Sequence, residues 1–303
     1  MKGFKIGGSK SFSPPSVGKP DAPRPSSPTS PVTKPTTRPN SFKDAFDTQS
    51  ARGVSGKPTQ QPGKDVTPAF TSNPLNFTGH NVLNAYNMFP GSSPQGVALP
   101  TPSKPFVPAN QSVVSLNVHQ HQGNANLSVT PPGGPGAQAH YLHYLSSGAG
   151  RFAGIEGVPL RPRPGDPSMI VTGPLNGCAV HALHNTSNNT LSFVHHADFS
   201  KNGVAELKNF LAENPSLRLV GGFKPSDYSH ATGVGRIETG ATPFIHYNAH
   251  QGQWTMVGQL NDWKNGGGSG SRPELIRPQT VSAPWIHTLP IDPHQPVDLS
   301  TYR

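Results

Sequence analysis

Cys178-Ala179-Val180-His181-Ala182-Leu183-His184-Asn185-Thr186-Ser187-Asn188-Asn189-Thr190-Leu191-Ser192-Phe193-Val194-His195-His196 reads as two short strands around a turn. The first strand is predicted over Cys178–His184 and the second over Leu191–His196, with Asn185-Thr186-Ser187-Asn188 as an even loop of residues at home in turns. Pairing Cys178 with His195 across the hairpin centres the turn between Thr186 and Ser187 and leaves that even loop, so the pairing is geometrically feasible. Side chains alternate across a strand, so Cys178 falls with Val180 and Ala182, and His195 with Leu191 and Phe193. The thiol and the imidazole can then share one face while His196 points to the other. A bulge would exchange the two histidines, so both remain candidates for a base, with His195 preferred.

Upstream lies Val171-Thr172-Gly173-Pro174-Leu175-Asn176-Gly177, a run rich in small residues that ends on the chain's one cysteine. Glycines at 173 and 177 let a carbonyl group approach the main chain, whose N–H groups near Cys178 can stabilise an oxyanion. A thiol of ordinary pKa, about 8.5, is only slightly ionised at neutral pH, so a nucleophile needs a downward shift of about two units, or about 2.7 kcal/mol. A neighbouring imidazolium can supply it. The competing expectation is a buried structural cysteine, since free cysteines are among the most buried residues.

Further along, strands are predicted at Ser112–His119, Asn124–Thr130, Ala139–Leu145 and Met169–Thr172 ahead of the hairpin, and at Leu217–Phe223, Phe244–Ala249, Gln253–Leu260 and Trp285–Leu289 beyond it. One clear helix is predicted from Gly203 to Asn214, with Ser200 or Asn202 as its cap and Pro215 as its stop. A short helix or apolar plug is expected in Phe77–Pro90, and a flexible loop at Gly266–Ser271. The expected fold is α+β: a β-rich mixed sheet or sandwich flanked by helices, preceded by a long disordered N-terminal arm.

The 303 residues include 36 prolines and 33 glycines, unevenly spread. Residues 1–75 hold 13 prolines and eleven Lys and Arg against four Asp, so this stretch carries +7 of the net +9. Such a composition cannot bury enough surface to offset the entropy of ordering, which predicts a disordered Pro/Ser-rich basic arm over 1–75 ahead of a folded domain over 76–303. The arm reads either as a linker or as an export or loading segment. In 76–303, 13 basic residues meet 11 acidic ones, a balance that argues against a nucleic-acid-binding face. A single cysteine excludes an internal disulfide framework, and the N-terminus has no apolar run of secretory-signal length. No membrane span is expected.

Leu175-Asn176-Gly177-Cys178, followed by a strand, a short turn and the Val194-His195 strand, resembles the core of bacterial glutamine deamidase toxins of the cytotoxic necrotising factor and Burkholderia lethal factor type. The family signature is Leu-Ser-Gly-Cys with a histidine on the next strand; here Asn176 stands in the serine's place. The resemblance implies Cys178 as nucleophile and His195 as base. It also implies Thr172 as a third group, as in the lethal-factor branch with its threonine six residues before the cysteine, and Asn176 and Gly177 as substrate-binding residues.

It further implies hydrolysis of a glutamine carboxamide on a host protein, by analogy a Rho-type GTPase or a translation helicase, with transglutamination as the variant reaction. No cofactor is needed. The protein would be a monomeric virulence effector, secreted through a bacterial secretion or injection apparatus engaged by the arm and active in the host cytoplasm.

Two other readings compete. Fourteen histidines raise a metal site, with pairs at His119/His121, His140/His143, His181/His184 and His195/His196 beside Asp198, but on a strand only the first pair shares a face. The other is a non-catalytic β-rich binding module with a structural cysteine and a ligand surface of Tyr141, Tyr144, Trp254, Trp263 and Trp285.

Overall fold

The computed structural model describes residues 63–302 apart from 86–87, 89–96, 102, 122–123, 145–151, 230–236, 265–273 and 277–285. In chain order the elements are β1 (Lys64–Asp65), α1 (Thr67–Ser72), α2 (Pro74–His80), β2 (Val82–Asn84), β3 (Phe106–Pro108), β4 (Val113–His121), β5 (Asn124–Thr130), β6 (Ala137–Tyr141), β7 (Phe152–Pro159) and β8 (Met169–Val171). There follow β9 (Ala179–Asn185), β10 (Thr190–His196), α3 (Phe199–Glu213), β11 (Leu217–Phe223), α4 (Pro225–Tyr228), β12 (Ile237–Asn248), β13 (Gln253–Lys264), β14 (Glu274–Ile276) and β15 (Ile286–Pro290). The fold is α+β. Its two sheets are both mixed, because β2 runs parallel to β5, β3 to β7 and β6 to β8 among otherwise antiparallel pairs.

Among the described residues the first sheet has the order β14-β13-β12-β8-β6-β4-β5-β2, with β1 added on β4 and β15 on β13. The second has the order β11-β9-β10-β7-β3. Apolar alternation places the strands. Val114, Leu116 and Val118 on β4 meet Leu127 and Val129 on β5 across the ladder, and all are buried on the face that α1 and α2 cover. Phe70 and Phe77 from those helices close that layer, with the Phe70 ring edge-on to Phe244 at 5.3 Å.

The opposite face of this sheet, carrying Ile170, Ile245, Trp254 and Met256, packs on Val180, Ala182, Leu191 and Phe193 of the second sheet. Beyond the second sheet, Ala179, Leu183 and Val194 meet Phe199 and Leu207 of α3 and Tyr302 near the C-terminus. The layers therefore run helices, sheet, sheet, helix. Strands β8, β9 and β10 are covered on both faces, which is why they read as nearly continuous apolar runs.

Several expectations need correcting. Residues 63–75, assigned to the arm by composition, contain β1 and α1, so folded structure begins earlier than residue 76. Val66 and Phe70 anchor this stretch in the core, and the Asp65 carboxylate accepts from Thr67 N–H at 2.9 Å just ahead of α1. The expectation for 1–62 lies outside the described residues, as do the Gly266–Ser271 loop and the Tyr86 and Phe89 part of the apolar plug.

Helix α3 starts four residues before its predicted start, behind Asp198 in left-handed conformation, and kinks at Asn202; neither Ser200 nor Asn202 caps it. The hairpin register also differs. Asn185 still belongs to β9, the turn is Thr186–Asn189 with Asn189 at φ 55°, and His195 pairs with Val180 instead of Cys178.

Gly258 on β13 joins the sheets closely, since a Cβ there would collide with the Phe223 ring of β11. Gly258→Ala is therefore expected to cost about 1–3 kcal/mol by overpacking, seen as a lower denaturant midpoint with an unchanged slope.

Candidate active site

The segment from Thr172 to Cys178 is a strap that leaves β8 in the first sheet and enters β9 in the second. Its middle is pinned by paired main-chain bonds, Leu175 N–H to Ala241 O at 2.7 Å and Ala241 N–H to Leu175 O at 3.0 Å. Its Thr172 end is fully buried, whereas Asn176, Gly177 and Cys178 are half-buried and reach the surface. Gly177 holds φ +78°, a left-handed turn that a side chain would strain, and its carbonyl accepts from Ser200 N–H at 3.1 Å. The Cys178 thiol lies 3.9 Å from the Asn176 carbonyl oxygen, the long contact expected of a weak S–H donor.

Cys178 packs against the inter-sheet core with Val180 and Ala182, the side of the hairpin that carries Phe193. His195 shares that parity. The ladder ends at His196 and Ala179, so Cys178 lies one residue beyond the last pair, on the strand parity that faces His195.

His195 is 1% exposed, and among the described residues neither of its ring nitrogens has a hydrogen-bond partner. Burial first, then the nearby His143 and His196, push its pKa down to about 3. The resting imidazole is thus neutral, and the imidazolium expected beside the thiol is not the ground state. The Thr172 hydroxyl is likewise buried without a partner among the described residues, so no hydrogen bond joins it to His195.

Two residues that sequence reasoning assigned elsewhere complete the surroundings. The parallel pairing of β6 with β8 sets Tyr141 beside Val171, and the chain then runs on so that the Tyr144 ring lies on Gly173, where a Cβ would approach it to 2.6 Å. The same ring is 6.3 Å from His195 and 6.2 Å from His143. His143, which burial holds below the ordinary histidine range, had been read as half of a metal pair with His140. His140 instead faces Ser112 at 3.0 Å and the Ala109 carbonyl at 3.1 Å, and burial pushes it to about 4. No set of three or more His, Cys, Asp or Glu able to hold a metal occurs among the described residues. Tyr141 and Trp254 are core residues, the latter donating to Pro159 O at 2.9 Å, and do not form a ligand surface; the Trp263 and Trp285 side chains lie outside the described residues.

His196 faces the other way. Its Nε2 is 3.2 Å from Glu206 Oε2 on α3, its Nδ1 is 3.3 Å from His181 Nε2, and His181 Nδ1 is 3.1 Å from the Tyr302 hydroxyl. An ionised carboxylate only accepts, so His196 donates through Nε2, His181 donates to His196 Nδ1, and Tyr302 donates to His181 Nδ1. The chain stitches α3, β10, β9 and the C-terminal segment together on the side of the hairpin away from Cys178. Gly222 leaves room for it, since a Cβ there would strike the Tyr302 hydroxyl.

Comparison with known proteins finds no family model and no curated protein that matches this chain.

Proposed function

We propose that the protein is a cysteine-dependent glutamine deamidase acting on another protein, a bacterial effector whose basic arm serves its delivery into a host cell. The observation that carries this reading is a half-buried thiol at the end of a glycine-bearing strap, on the same face as a buried, neutral imidazole with both nitrogens unpaired among the described residues. A structural histidine at such depth normally has a partner, because an unsatisfied buried polar group costs about 1–3 kcal/mol. A substrate or a shifted thiol would supply one.

The neutral state sets the chemistry. His195 takes the Cys178 proton as the sulfur attacks the glutamine amide carbon, then gives it to the departing nitrogen, which leaves as ammonia. Water adds to the thioester with His195 again as base, and glutamate is released with the thiol restored. Asn176 and Gly177, at the exposed end of the strap, present the main chain to the incoming carboxamide. A GTPase glutamine that positions the attacking water fits this chemistry as a target, because its conversion to glutamate would stall hydrolysis. The translation helicase is the other target class.

The test compares the protein with Cys178→Ser on host-cell lysate by mass spectrometry. Glutamine-to-glutamate conversion at one or a few sites is expected with the unaltered protein alone. Identical glutamine profiles in the two samples would overturn the reading.

A further inference from the structure

Helix α4 follows β11 closely and is held by Lys224 and Asp227, whose side chains pair at 3.1 Å while Asp227 accepts from Lys224 N–H at 2.9 Å. It delivers Tyr228 to the strap. Tyr228 is 1% exposed, its ring lies 5.6 Å from Phe223, and its hydroxyl donates to the carbonyl oxygen of Cys178 at 2.7 Å. A buried tyrosine hydroxyl needs an acceptor, and in this fold the acceptor is the main chain of the one cysteine.

The preceding carbonyl, of Gly177, is held by Ser200 N–H at 3.1 Å. Each peptide unit is planar, so fixing two successive carbonyls fixes the planes on both sides of the Cys178 Cα. With both planes fixed, φ and ψ of Cys178 are fixed, and with them the direction in which the Cα–Cβ bond carries the thiol away from the chain. Burial first, and the adjacent Cys178 second, hold the Tyr228 phenol well above its usual range, so it remains a donor at every working pH.

We infer that Tyr228 is a positioning residue for Cys178, setting the direction and reactivity of the thiol through its hydrogen bond to the Cys178 carbonyl. This rests on the reading of Cys178 as the nucleophile. Without the bond the peptide plane after Cys178 can turn, the Cα–Cβ bond that carries the thiol turns with it, and the sulfur leaves the surroundings that set its reactivity.

The test needs no substrate. The rate of Cys178 alkylation by iodoacetamide is measured against pH in the full chain and in Tyr228→Phe, with a thermal melt of each. The unaltered protein is expected to react selectively with a midpoint below that of a free thiol. Tyr228→Phe is expected to react at least tenfold more slowly at pH 7, with its midpoint moved upward, while still melting cooperatively. A general loss of stability would not move that midpoint.

A variant whose rate and midpoint equal those of a reactive unaltered protein overturns the positioning role and leaves the nucleophile standing. An inert thiol in the unaltered protein overturns both. Should Tyr228→Phe fail to fold, 3-fluorotyrosine at the same position keeps ring and hydroxyl but donates more strongly; a midpoint moved downward supports the role, and an unmoved one overturns it.

Discussion

Taking the protein from pH 7 to pH 4 is expected to unfold it, with the melting temperature flat above about pH 6.5 and falling steadily below. Five histidines, His140, His143, His181, His195 and His246, are held below their ordinary value, in each case chiefly by burial. Each is neutral in the folded state and takes a proton in the unfolded chain near pH 6.5, so the unfolded state binds more protons in acid and stability falls as pH falls. By pH 4, His195, with a folded value of about 3, and His140, at about 4, each contribute a loss on the order of 3 kcal/mol. Together they rival the whole stability of an ordinary domain. Calorimetry across this range checks the expectation. A melting temperature that stays flat down to pH 5 would mean that these imidazoles are charged or hydrated in the native state. His140→Asn should reduce the acid slope by one proton.

His195→Ala and His196→Ala are expected to fail in opposite ways. Removing His195 deletes a buried group that has no partner among the described residues, so only the cavity it leaves costs stability at pH 7, and the acid slope should weaken. The proposed deamidation should fall by about 10²–10⁴, the usual effect of losing a general base. Removing His196 leaves His181 Nε2 and the Glu206 carboxylate without their partner in the chain, at a stability cost of about 3 kcal/mol. The surviving folded molecules should keep their activity. Activity per folded molecule, taken from assay and melt on the same samples, separates the two. Equal residual activity in both would reject His195 as the base.

Much of the layer arrangement is legible in the chain. Asn124–Thr130 and Leu217–Phe223 stand out by alternation or apolar content between turn residues, and the structure reproduces both. Strand β7, in the interior of the second sheet, is not among the predicted strands, and its Gly154, Gly157 and Pro159 interrupt the local pattern. Gly154 is there because the Phe106 ring occupies the place of its Cβ, and Gly157 turns through φ +76°, requirements set by distant neighbours. The hairpin register was out by two residues because every residue from Asn185 to Thr190 suits a turn, and only the partners on β7 and β11 decide which of them are paired.

The same limit holds at the site. Thr172, Asn176, Gly177, Cys178 and His195 form a local pattern and can be read. His143 and Tyr144 reach His195 only through the parallel pairing of β6 with β8, and Tyr228 reaches Cys178 from fifty residues away, so no local signal marks them.

The Glu206–His196–His181–Tyr302 chain obeys an alternation rule, with each member accepting on one side and donating on the other. Such a row has a second self-consistent arrangement. If an extra proton enters at the Glu206 end, which is the least buried, His196 donates to His181 and His181 donates to the Tyr302 oxygen, with every heavy atom left in place. The back of the hairpin can thus take up one proton at Glu206 by reversing the row, while Tyr302, whose phenol burial holds well above its usual range, keeps its own proton and ends the row. The row is insulated from the thiol by the thickness of one sheet.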